Sequence, residues 1–179
     1  MKNNVIKEMI LTALFIALGI VLPMAFHFIG SGSVLLPMHI PVIIAGFVLS
    51  LPYAIIVAAV TPVLSSVLTM MPPVFPVLPF MFFELIAYGV VANILYRRLK
   101  KNVYVSLIAS MIVGRIVSGI AVYFLVTFFM AKLPSPWIFV SGSFLTGLPG
   151  IVIQLIVIPV LVKILEKGKV IESRGVVVE

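Results

Sequence analysis

Two ionisable side chains stand where the rest of the sequence is apolar: Glu84 in "VLPFMFFELIAYG" and Arg115 in "SLIASMIVGRIVSG". Burying a lone charge in a bilayer costs about 2.5–3.5 kcal/mol or more, so such residues face a protein interior and mark pairing or function. One reading is a structural ion pair that fixes helix packing. The other is that one or both hold the polar group of a solute. On a helix, Tyr88 shares the face of Glu84, four residues on. Ser118, Gly119 and Tyr123 continue the stripe of Arg115, and Ser143, Thr146, Gly147, Gly150 and Gln154 form another at helical spacing. Three stripes of polar or small residues can converge on one cavity, although small residues also serve close helix packing.

His39 is set between two prolines in "LPMHIP". Proline suits a first helical turn, where its missing N–H is not needed. His39 is therefore expected at the mouth of a bundle, a donor and acceptor at the rim of a pocket. His27 has less to recommend it, and two histidines without carboxylates nearby do not make a metal site. No cofactor is implied. The chain has no cysteine and no aspartate, and Glu84 is the carboxylate well inside an apolar segment, which disfavours thiolate, carboxylate and hard-metal chemistry. "GSGS" (30–33) lacks a matched base and orienting carboxylate. An enzyme is not expected. The hydroxyls of "TPVLSS" (61–66) are read as packing features that bond the carbonyl four residues back.

The elements that must position these residues are membrane spans. With 63% hydrophobic and 9% charged residues and a mean hydropathy of +1.36, the chain could not cover a water-facing surface. Stretches of roughly 20 apolar residues are expected near 6–26, 52–70, 77–96, 104–130 and 140–166, with a shorter one at 37–50. The fold class is thus an all-α integral membrane protein of six transmembrane helices, read as one domain over 1–166 with a cytoplasmic tail at 167–179. The first span is too long for a cleaved leader, and further spans follow it. Ten of the twelve Lys and Arg fall on one side of such a bundle, Lys132 falls on the other, and Arg115 is inside a span. Both termini are therefore cytoplasmic. The net charge of +7 is a topology signal and implies no nucleic-acid partner. The opposite connections, 27–37, 71–79 and 131–139, are rich in Gly, Pro and aromatics. They are expected to fold over an outward pocket.

Ala13 and Ala17 in "ALFIALG" give the first helix a small-xxx-small face. Together with six spans, both ends inside, and "LPMHIPVIIAGFVLS" followed by "TPVLSSVLTMMPPVFPVLPFMFFELIAYG", this face resembles the substrate-binding S component of energy-coupling factor (ECF) transporters, over roughly 10–165. The resemblance implies a protein that captures a vitamin or similar micronutrient from outside. It would dock through the Ala13/Ala17 face on a membrane-embedded coupling subunit, T, which carries two ATPases. On this chain the implied pocket falls on His39, Glu84, Tyr88, Arg115, Tyr123, Ser143 and Gln154, with the first outer loop as lid. The resemblance favours a pyridoxine-related solute and leaves riboflavin, pantothenate, folate and niacin open. The chain has no G-x-x-x-x-G-K-[ST] loop, so ATP hydrolysis would belong to another chain. The alternative reading is a stand-alone proton-coupled transporter or channel using Glu84.

Overall fold

A computed structural model describes residues 2–28, 36–129 and 133–168. Most of the expected lid, Lys132 and the tail beyond 168 lie outside the described residues. The described residues form helices and connections, with no strand among them. The helices are α1 (Lys2–Phe28), α2 (His39–Val48), α3 (Leu51–Thr69), α4 (Val77–Asn93), α5 (Val103–Phe129) and α6 (Pro136–Lys167). A π-helical turn, Ile94–Arg98, extends α4. Five of these helices are long and apolar enough to cross a membrane, and α2 is shorter.

At about 1.5 Å per residue, the 10-residue α2 reaches only about half of a roughly 30 Å hydrocarbon layer. It is also the most enclosed element: every residue but Ile40 is buried. It packs on α1, α3, α4 and α6. Lipid tails are as apolar as leucine, so hydrophobicity alone does not drive this segment inward. Close approach and hydrogen bonds hold it instead. A Cβ on Gly46 would lie 2.8 Å from the carbonyl oxygen of Gly89, so the α2 and α4 backbones meet where neither carries a side chain. At the far end of α2, Asn93 Nδ2 donates to the carbonyls of Gly46 (2.9 Å) and Leu49 (2.8 Å). Arg97 donates to that of Val48, satisfying carbonyls that a helix C-terminus leaves open. Ser50, which ends the two-residue link to α3, gives its N–H and its hydroxyl to Glu8 of α1.

The other helices wrap this centre. On α1, Thr12, Phe15 and Gly19 form the buried stripe, while Met9, Ile10, Leu14, Leu18 and Val21 face outward. That outward apolar face fits lipid, not water. The α4–α5 contact is the most extensive in the bundle. It depends on Gly114, because a Cβ there would stand 2.2 Å from Cε1 of the Tyr88 ring. The "TPVLSS" hydroxyls correct the expectation. Ser65 and Ser66 reach forward, to the carbonyls of Met71 (2.6 Å) and Pro72 (2.7 Å), and tie the 70–76 connection back over the end of α3.

Candidate functional site

Glu84 sits in the second turn of α4 with its side chain 3% exposed. Three groups converge on its Oε1. Arg115 Nη1, from the middle of α5, lies 2.9 Å away. The Tyr88 hydroxyl, one turn along α4, donates at 2.7 Å. His39 Nε2, at the start of α2, is at 3.9 Å, beyond hydrogen-bonding distance. The His39 ring meets Tyr88 edge to face, with centroids 5.4 Å apart. The two spans carry Glu84 and Arg115 at expected depths roughly 10 Å apart on straight helices. Their side chains meet all the same, in the ion pair that the sequence left open.

Above this cluster opens a cavity of about 390 Å³. Pro23 and His27 of α1, residues 36–39, Met71 and Pro72, the first two turns of α4, Arg115 of α5, and Phe139, Ser143, Thr146 and Gly147 of α6 line it. Every contributing helix end lies opposite the basic segments around Lys7, 97–101 and Lys163. The cavity therefore opens toward the side away from the cytoplasm. Its walls are largely apolar, with Glu84, Arg115 and His39 grouped at the floor and His27, Ser143 and Thr146 as the other polar members of the lining. Phe80 and Phe139 meet edge to face at 4.8 Å and close the gap between α4 and α6. Both ring nitrogens of His39 are buried and lack a hydrogen-bond partner among the described residues.

Of the residues singled out in the sequence, His39, Glu84, Arg115 and Ser143 line the cavity, as do His27, Thr146 and Gly147, and Tyr88 supports Glu84 from behind. Tyr123 and Gln154 are not brought to it. Tyr123 is 55% exposed on the outer face of α5 beside Phe124. Gln154 is buried on α6, away from the lining, and its Nε2 has no hydrogen-bond partner among the described residues. A helical stripe places residues on one face but does not fix its depth, and both lie too far along their helices or round them. Ala13 and Ala17 are exposed on α1.

Gly147, on the stripe read from the sequence, faces Arg115, whose Nη2 would stand 3.4 Å from a Cβ there. Other contributors escaped the sequence reading. Gly114 makes room for Tyr88. Phe80 and Met81 were indistinguishable from lipid-facing residues in an all-apolar segment, whereas Phe139 ends the connection 131–139 that the sequence placed over the pocket. The glycine directly before a buried arginine was the one available signal. Among the described residues no group of His, Asp and Glu could hold a metal ion.

A family model described as ECF transporter, substrate-specific component, matches residues 7–162. No curated protein and no solved structure matches the chain.

Proposed function

The chain belongs to the family of ECF transporter substrate-specific components, and from that premise we propose that it captures a vitamin-like solute in the outward cavity and hands it to an ATP-driven coupling module. Family membership makes it a multi-pass cell-membrane protein whose role is to bind a small micronutrient for transport. The solute and the drive are the proposed part. A pyridoxine-related solute is favoured, with riboflavin, pantothenate, folate and niacin as alternatives. T and its two ATPases would supply the energy, since this chain carries no phosphate-binding loop.

The observation that carries the reading is the cavity itself. Its volume of about 390 Å³ is within the range of about 300–1,000 Å³ typical of small-molecule sites. Apolar walls enclose a small cluster of polar groups, which is how such sites combine affinity with orientation.

The test begins with protein purified in mild detergent and mass spectrometry of whatever small molecule it releases on denaturation. Calorimetry with a panel of B vitamins follows. A stoichiometric vitamin-like mass, or tight binding of one panel member, is the expected result. An empty protein that binds none of them, with uptake that needs no ATPase and is lost in Glu84→Gln, would replace this reading with proton-coupled transport.

A further inference from the structure

We propose that the floor of the cavity selects uncharged, hydroxyl-bearing heteroaromatic solutes over carboxylates, with the His39 ring as a direct hydrogen-bonding contact. The inference rests on the capture reading and narrows its substrate class.

Charge is the first argument. Among the described residues that line the cavity, Glu84 and Arg115 are the formally charged ones, and they are paired at 2.9 Å. The charges of this pair cancel. Arg115 has further N–H groups, and these can serve a hydroxyl or carbonyl oxygen. A carboxylate placed on them would gather two carboxylates around one guanidinium. That brings an uncompensated negative charge into an apolar enclosure, which is strongly unfavourable.

Hydrogen-bonding capacity is the second. Buried polar groups are nearly always paired, and an exception asks for an explanation. His39 is 3% exposed, lines the cavity, and has neither nitrogen bonded among the described residues. Whichever tautomer it adopts, the ring offers one donor and one acceptor. The Tyr88 hydroxyl and the Arg115 guanidinium both meet Glu84 at Oε1. The floor thus presents a donor and an acceptor on His39 beside the further N–H groups of Arg115, a match for hydroxyl groups on a ring. Phe80, Phe139 and the methionines 38, 71 and 81 line the walls, and such side chains accommodate a flat aromatic body.

The test is calorimetry on the protein in nanodiscs. The panel holds uncharged pyridoxine and riboflavin against anionic pantothenate, nicotinate and folate. A matched pair, pyridoxine and 4-pyridoxate, differs in a hydroxymethyl against a carboxylate. The uncharged member should bind, and the carboxylate should bind about a hundredfold more weakly or worse. His39→Leu should weaken binding of the uncharged solute by about tenfold or more, and His39→Gln, which keeps a donor and an acceptor, by less. The thermal unfolding midpoint of empty His39→Leu should change little, because the replaced ring loses its edge-to-face contact with Tyr88 but no hydrogen bond. A carboxylate that binds as tightly as its uncharged counterpart would overturn the inference and leave the capture reading standing. So would His39→Leu with unchanged affinity. Binding of no panel member would overturn the capture reading and this inference with it.

Discussion

Glu84 is the residue on which the site turns, and its partners make its role testable. Removing its charge leaves Arg115, 15% exposed along its side chain, without compensation. Breaking a buried pair from one side typically costs about 3–5 kcal/mol, whereas removing both charges together is often close to neutral. Glu84→Gln should therefore lower the unfolding midpoint of the empty protein by roughly 5 °C or more. Adding Arg115→Met should recover most of that loss, and a double mutant no more stable than Glu84→Gln would show that the pair does not hold the helices together. Gly114→Val acts on the same group from behind. Its side chain would occupy the place of the Tyr88 ring, so the Tyr88–Glu84 hydrogen bond should break and solute affinity should fall. Calorimetry on folded Gly114→Val checks this, and wild-type affinity would mean that Tyr88 plays no part in positioning Glu84. Glu84, Arg115 and His39 were legible in the sequence because charge and imidazole are conspicuous against lipid. Tyr123, which the structure leaves 55% exposed and outside the lining, was ambiguous for the opposite reason. Tyrosine belongs equally to a pocket and to an interfacial belt, and helical spacing does not separate the two.

Helix α2 shows what one element contributes beyond its residues. It is short, enclosed, and carries His39 at one end while its other end is tied down. Asn93 alone satisfies two buried carbonyls of that end. Asn93→Leu leaves both without a partner at about 1–3 kcal/mol each, so the midpoint should drop by several degrees, or about 2–4 °C per kcal/mol. Because α2 is the lever on which His39 sits, solute affinity should fall as well, although Asn93 is far from the cavity. Stability lost with affinity unchanged would mean that His39 is held by its own end of the helix. The sequence anticipated the span cores closely: 52–70 against Leu51–Thr69, and 104–130 against Val103–Phe129. It was less accurate at α6, which starts at Pro136 rather than near 140, because the prolines of "LPSPWIF" read as the end of a connection. It also gave no hint that "TPVLSS" would reach forward to the 71–72 carbonyls, since serine bonding within a helix and serine bonding to the next loop share one local sequence.

At the scale of the molecule, the bundle has two ends of different character and one side still to be matched with a partner. Basic segments mark the cytoplasmic end, the cavity opens at the other, and α1 runs between them with most of its surface outward. Ala13 and Ala17 lie on that outward surface and none of the packing just described depends on them. Small residues four apart let a second helix approach closely, so this strip is the proposed seat for the coupling subunit. Ala17→Leu adds bulk to a lipid-facing position without touching the buried stripe of Thr12, Phe15 and Gly19. The variant should therefore keep its midpoint and its solute affinity within about twofold, because surface changes usually stay within about 0.5 kcal/mol. In cells that hold the whole transporter it should lose most of its uptake, because the added side chain holds the partner helix off. Calorimetry and uptake on the same variant separate the two roles. Uptake that survives Ala17→Leu would move the docking surface elsewhere on the bundle. Affinity that falls in step with uptake would show that α1 shapes the cavity and is not a separate coupling face.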